Sequence, residues 1–286
     1  MTIDTPPALP GPVELAASLR EALPKFGQIE WFKSTSSTNA DLIAKTRTSL
    51  LRRPWLLGSH LQENGRGRAG RTWQNRAGAN LMFSCAFDVF LAPRQLPALS
   101  PLVGMVTCEA LRQLLDPANR RHLSLKWPND LLWKFAKLAG ILVETTKAGT
   151  SRVSPDHHVV VVGMGVNLDD ARALSQSLDR QVADWREVCG QAPEAARLSA
   201  ATLVSCIAQS WYDSINLVVR DGLADLPERF ARVDALSGQH VNILDDGRLI
   251  QSGIAGGVND LGQLIVRTPQ GEHPISVGDV SVRSRS

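Results

Sequence analysis

The sequence predicts an α+β fold in two parts, a larger region of intermingled strands and helices followed by a small all-β domain. Three observations point to it. The chain has 286 residues, length for about two domains, and its 43% hydrophobic and 21% charged residues are ordinary globular composition rather than disorder. Strand-like and helix-like runs alternate from Ile29 to Val219. After Leu236 the pattern changes to short runs of Val, Ile and Leu punctuated by Asp245-Asp246-Gly247, Gly256-Gly257, Asp260-Leu261-Gly262 and Gln270-Gly271, the signature of a small β-barrel.

Taken in order, Val13 to Leu23 has apolar residues at Val13, Ala16, Ala17, Leu19 and Leu23 after Pro12, a short amphipathic helix closed by Pro24. Residues 1–30 hold this one helix and no second one to pack on it, too little for a helix-turn-helix. A strand near Ile29–Phe32, a helix over Thr38–Lys45 and a strand near Trp55–His60 follow. Asn80–Phe87 reads as a strand, Pro101–Leu115 as a buried helix, and Leu123–Lys126, Leu138–Glu144 and Val159–Val166 as strands. Pro155, Asp156, His157 and His158 are expected to form a hairpin connection, with the histidine pair at a solvated tip and no further metal ligand placed beside it. Nothing in the pattern assigns the connection from Asp169 to Ala200, with its Asp184-Trp185-Arg186. Ala200–Val219 has helical periodicity, with Leu203, Ile207, Trp211, Ile215 and Val218 on one core-facing side. The expected divisions are an extension over 1–30, a main domain over 31–235 and a small domain over 236–286.

Charge is local. Lys and Arg exceed Asp and Glu by 31 to 28, and the stretch from Gln62 to Arg76, with four arginines and one glutamate, accounts for the whole surplus of three. A nucleic-acid binder would spread its positive charge over a face or an arm, so this pattern predicts one anion site and no nucleic-acid partner. The N-terminal stretch lacks the basic and apolar pattern of a signal, and no apolar run approaches the roughly 18 residues of a membrane span, so a soluble cytoplasmic protein is expected. Cys85, Cys108, Cys189 and Cys206 are spaced for neither a metal site nor a redox pair and read as reduced thiols in apolar contexts.

Gly65-Arg66-Gly67-Arg68-Ala69-Gly70-Arg71-Thr72 matches both a dinucleotide fingerprint and a phosphate loop with arginine for lysine. Each of those requires a helix directly after the glycines. Here the turn formers Gln74-Asn75-Arg76-Ala77-Gly78 follow instead, and then a strand. What remains is a segment whose glycines let a ligand approach the backbone and whose guanidinium forks suit phosphate or carboxylate. Trp73 has two roles open to it, stacking on a purine or anchoring the loop in the core. Lys137 opens an otherwise apolar strand at the sheet rim, within reach of a bound anion, and Gly140 offers bare backbone three residues on. Asn129 and Asp130 follow Pro128 in a turn, where an Asx cap is the simplest role.

Together these residues resemble the biotin protein ligases. The resemblance runs in order through Ser37-Thr38-Asn39, Gln62, the Gly65–Arg71 loop with Trp73, Gly78-Ala79-Asn80-Leu81, Lys126–Asp130, Lys137–Glu144 and Gly163-Met164-Gly165-Val166-Asn167. It implies a catalytic domain with a mixed β-sheet flanked by helices, related to class II aminoacyl-tRNA synthetases, then an SH3-like barrel. With so little room in residues 1–30, it implies the monofunctional type without the DNA-binding domain.

The activity implied is ligation of biotin to ATP, giving biotinyl-5'-AMP and pyrophosphate, then transfer of the biotinyl group to a lysine of the biotin carboxyl carrier protein of acetyl-CoA carboxylase. ATP with Mg2+ and biotin are the implied co-substrates, with no tightly bound cofactor. Arg66, Arg68 and Lys137 are the implied electrostatic catalysts. Ser37, Thr38, Asn39 and Gln62 would hydrogen-bond biotin or its acyl-phosphate end, and Gly65, Gly140 and Leu142 would line the ligand. Trp73 and Asn167 would meet adenosine, Asn129 and Asp130 the lysine or Mg2+ end, and Arg283 the nucleotide phosphates. The loop from Gly65 to Trp73 is expected to be mobile when empty and to close over an intermediate that water destroys. Ala69 stands where repressor-type relatives have another basic residue, so at most a weak homodimer is expected. Lipoate ligases or lipoyl transferases and a non-catalytic biotin sensor are the rival readings.

Overall fold

Two sheets organise the chain, described over residues 9–49, 52–147, 154–276 and 278–282 in a computed structural model. The first comprises β1 (Gln28–Phe32), β2 (Trp55–Ser59), β3 (Asn80–Phe90), β4 (Leu123–Lys126), β5 (Asp130–Trp133), β6 (Ala136–Thr146) and β7 (His157–Asn167). Their order is β1-β2-β3-β7-β6-β5-β4, with β1 and β2 parallel and the other neighbouring pairs antiparallel. The helices are α1 (Pro12–Ala22), α2 (Thr38–Thr48), α3 (Leu99–Gln113), α4 (Pro117–Arg120), α5 (Ala171–Leu178), α6 (Trp185–Gln191), α7 (Ala200–Asp221) and α8 (Leu226–Ala231).

Every residue of β7 is buried, as a central strand covered on both faces requires. Val160 and Val162 face the larger core with Phe83 and Cys85 of β3, under α1, α3 and α7. Val159 and Val161 face the other way, to Leu42 of α2, Trp55, Leu57 and Ala86. Trp211 of α7 stacks on Phe83 at 5.4 Å and donates its indole N–H to Thr107 of α3 at 2.8 Å, so the aromatic bulk is buried with its polar atom satisfied. Cys85, Cys108 and Cys189 are buried and Cys206 is half-buried; burial pushes the Cys108 thiol up to about 12.

Three stretches depart from the sequence expectation or extend it. Leu131-Leu132-Trp133 continues from Asp130 as β5, pairing with both β4 and β6, where four residues are too few to show a period. His157 and His158 are not at a solvated tip: they open β7 and are buried. The reason lies across the ladder on β3, where Asp88 takes His157 Nε2 at 2.8 Å and Arg53 Nη1 at 2.7 Å, and Phe90 stacks on the imidazole at 4.4 Å. The unassigned connection forms α5 and α6 around one carboxylate. Asp184 caps α6 by accepting from Glu187 N–H at 3.0 Å and also accepts from Ala171 N–H, the first residue of α5, at 2.9 Å. Trp185 is buried, and Arg186 pairs with Asp169 at 2.7 Å.

The second sheet is antiparallel, built from β8 (His240–Asp245), β9 (Arg248–Val258), β10 (Leu264–Thr268), β11 (Gly271–Ile275) and β12 (Asp279–Val282), in the order β11-β10-β9-β8-β12. Its inward Val241, Ile243, Ala255, Leu264 and Val266 continue the main core. Gly262 marks a close approach of the two parts. It has φ +71°, a Cβ there would lie 2.7 Å from Ala98 Cα, and its carbonyl accepts the Trp127 indole N–H at 2.9 Å. Among the described residues no helix is long and apolar enough to cross a membrane.

Candidate active site

α2 covers only part of its face of the first sheet, and a cavity of about 390 Å³ opens beyond its N-terminus. The register of β6 and β7 makes the floor: Gly140 lies opposite Gly165, and Leu142 opposite Gly163, so all four share one face. A Cβ at Gly165 would lie 2.5 Å from the Trp73 indole, and one at Gly163 would enter the Asn39 amide. The bare backbone therefore seats these two side chains. Trp73 thus takes the anchoring role, packed on the sheet, and also forms a cavity wall. Among the described residues its buried indole nitrogen has no hydrogen-bond partner.

At the α2 end the polar atoms form a neutral network. Gln62 Oε1 accepts from Thr38 N–H at 2.8 Å and from its hydroxyl at 3.2 Å. The Thr38 and Ser84 hydroxyls lie 2.6 Å apart, and Ser84 donates to Asn39 Oδ1 at 2.6 Å. Asn39 Nδ2 donates to Glu144 at 2.9 Å. Ser37 is the N-cap residue of α2, yet its side chain does not cap the helix. Ser37, Thr38 and Asn39 are all buried.

The remaining walls bring cations together. Where a nucleotide-binding helix would start, the loop has only a three-residue 3-10 turn, Arg68–Gly70, with Ala69 left-handed at φ 53°. Trp73 N–H donates to Gly65 O at 2.8 Å and Gly67 N–H to Arg71 O at 2.6 Å, closing the loop at its base. Arg66 pairs with Glu144 at 3.1 Å, Arg71 with Asp279 of β12 at 2.6 Å, and Lys137 with Asp130 at 2.6 Å. Arg68 donates to Asn129 Oδ1 at 3.4 Å, while Asn129 Nδ2 donates to Ile141 O at 2.5 Å. Burial pulls the Lys137 ammonium below the ordinary lysine value, against the opposing pull of Asp130. Lys126 is lowered likewise, first by burial, and burial also lowers Arg68.

The sequence-predicted residues converge. Ser37, Thr38, Asn39 and Gln62 line one end of the cavity, Gly140, Leu142 and Trp73 its floor, and Arg66, Arg68, Lys137, Asn129 and Asp130 the rest. Gly65 closes the loop base and does not line the cavity. Asn167, for which a contact with adenosine is expected, has backbone partners. It is buried outside the cavity lining, and its amide donates to the carbonyls of Lys137 at 3.3 Å and Ala183 at 3.2 Å. Its position braces the strand that carries Lys137. Arg283 lies outside the described residues. Arg71 and Lys126, within the motif segments, join the lining. Two further residues, Arg180 and Asp279, lie in segments whose pattern carries no motif.

Comparison with known proteins places this architecture. Residues 31–167 match the biotin/lipoate A/B protein ligase family, and residues 236–283 match the biotin protein ligase C terminal domain. The chain is 31% identical over 253 residues to the biotin--[acetyl-CoA-carboxylase] ligase of Paracoccus denitrificans, covering 86% of this chain and 97% of that one. Against the bifunctional ligase/repressor BirA of Escherichia coli it is 31% identical over 224 residues, covering 78% of this chain and spanning 64% of that protein's length. In fold it is similar to the biotin protein ligase from Aquifex aeolicus solved in complex with biotin and ATP, at TM-score 0.67 and 23% identity, covering 90% of this chain and 99% of that one. The chain belongs to the biotin/lipoate A/B protein ligase family. Within it, the second matched segment places the chain on the biotin side.

Proposed function

We propose that this chain is an ATP-dependent ligase that activates biotin as biotinyl-5'-AMP and passes the biotinyl group to a specific lysine of a biotin carboxyl carrier protein. The observation that supports it is the joining, in one cavity, of a neutral hydrogen-bonded end to an end with surplus fixed cations. A carboxylate substrate and a nucleotide polyanion repel each other in water. Cations already in place offset that repulsion and stabilise charge that builds on the phosphoryl oxygens.

In the first step a biotin carboxylate oxygen attacks the α-phosphorus, the bond to the bridging oxygen breaks, and pyrophosphate leaves with the electron pair. Arg66, Arg68 and Lys137 act here electrostatically. Ser37, Thr38, Asn39 and Gln62 orient biotin, Gly140 and Leu142 form its apolar wall, and Trp73 borders the adenosine. In the second step a neutral lysine amine of the carrier attacks the acyl carbon and AMP leaves, beside Asn129 and Asp130. Asp130 is the carboxylate that would hold Mg2+ arriving with ATP, and the ion would supply further positive charge to the phosphates.

The same reading gives the carrier subunit of acetyl-CoA carboxylase as protein substrate, the cytoplasm as location, no nucleic-acid or membrane partner, and at most a weak homodimer. It divides the chain at residues 31–235 and 236–286, with the loop from Gly65 to Trp73 as the lid. Incubation with ATP and labelled biotin, following both pyrophosphate and label on a carrier, tests it. A lipoate ligase would leave biotin unused, and a biotin sensor would bind it without releasing pyrophosphate.

A further inference from the structure

The segment after α5 is clipped to the backbone of Lys137 on both sides. Lys137 N–H donates to Gln181 O at 3.1 Å, Ala183 N–H donates to Lys137 O at 3.0 Å, and Val182 bridges to Lys137 in parallel. Val182 N–H is also held by the Ser175 hydroxyl at 3.0 Å. Arg180, directly before this clip, is exposed and lines the cavity with Lys126 and Lys137. Six cationic side chains line the cavity, against the carboxylates Asp130 and Asp279. Both carboxylates are already paired, with Lys137 and Arg71. Among the described residues neither Arg180 nor Lys126 has a carboxylate within ion-pair distance. Holding unpaired like charges together costs energy in the empty protein, and a bound polyanion returns it.

The order of groups fixes which part of the polyanion. Glu144 joins Arg66 to Asn39 of the neutral end, and the paired Lys137 and Asp130 meet over Gly140 of the floor, which lies opposite Asp130 in the ladder. Lys126 faces Asp130 across the ladder of β4 and β5, and Arg180 directly precedes Gln181, which is bonded to Lys137, so both stand beside that pair. In an in-line displacement the leaving group departs on the side opposite the attacking carboxylate. We propose that Arg180 receives the pyrophosphate as it leaves the α-phosphorus, an assignment that rests on the ligase reading above. The Pα–O bond to the bridging oxygen breaks with its electron pair on pyrophosphate, and the guanidinium neutralises that charge by hydrogen bonds. Arg180 also acts on its neighbours, lowering the proton affinity of both Lys126 and Lys137.

The test uses the full chain with Arg180→Gln and Arg180→Lys, measuring inhibition by inorganic pyrophosphate, kcat/KM for ATP, and single-turnover transfer of separately prepared biotinyl-AMP to a carrier protein. For Arg180→Gln, pyrophosphate inhibition and kcat/KM for ATP are expected to weaken roughly 10- to 100-fold, the loss of one charge-assisted contact. Transfer of prepared biotinyl-AMP stays at the wild-type rate, and Arg180→Lys restores most of the pyrophosphate inhibition. Unchanged pyrophosphate inhibition in Arg180→Gln overturns the assignment, as does an equal loss in the transfer step, which marks a structural role. Failure of the ligase reading shows separately, as no pyrophosphate release by the unmodified protein with biotin and ATP.

Discussion

At the α2 end of the cavity Thr38, Gln62, Ser84 and Asn39 satisfy one another's polar atoms within buried surroundings, whereas at the β12 end cations outnumber carboxylates and, among the described residues, Arg68, Lys126 and Arg180 have no carboxylate within ion-pair distance. The first arrangement is completed by folding, since an unpaired buried polar group costs about 1–3 kcal/mol. The second is completed by a ligand. One end therefore gives register and the other gives electrostatic work, and Glu144, shared by Asn39 and Arg66, ties them together.

The sharpest way to break this comparison is Lys137→Ala, which removes the ammonium between the two ends. Formation of biotinyl-AMP is expected to fall by at least roughly 10²–10³-fold, as for loss of a transition-state charge donor. Near-normal pyrophosphate release would take Lys137 out of the chemistry. Because burial lowers the Lys137 proton affinity, the alkaline fall of the adenylation rate is expected below the ordinary lysine range, as the ammonium is lost with rising pH. Arg68→Gly is expected to let biotinyl-AMP dissociate about 10- to 100-fold faster and to label bystander lysines. Retention as tight as in the parent counts against the lid.

Ser84→Ala tests the neutral end. It deletes the hydroxyl between Thr38 and Asn39 and is expected to cost about 1–3 kcal/mol of stability, with a higher KM for biotin and little change in kcat. Equal losses of kcat and kcat/KM would show that this end takes part in the chemistry itself. The smallest effect belongs to Asp279→Asn. Its pair with Arg71 is about half exposed, so denaturant melts are expected to move by about 0–1 kcal/mol. A larger loss would make the charged end part of the folding core and erase the contrast.

Much of the charged end was legible because its residues serve no core: alternating Gly and Arg before turn formers, and a lysine opening an apolar strand, have few structural uses. Arg180 was not legible, since α5 and α6 are short and depend on Asp184 capping both, a relation that leaves no period. Asn167 shows a different limit. An asparagine closing a buried strand looks the same in sequence whatever its partners, and the two backbone carbonyls that this one meets leave no pattern. His157 depends on Asp88 and Arg53, far away along the chain, so its burial has no local signal.

The wall formed by Asp279 bears on biosynthesis. During translation the ribosome delivers Ser37 and Lys137 long before β12, whose ladder runs along β8 of the second sheet. A growing polypeptide with its first sheet already folded has an unfinished chamber, open on one side and with Arg71 lacking its counter-ion. Chemical competence therefore arrives late in synthesis, once the second sheet has emerged and docked.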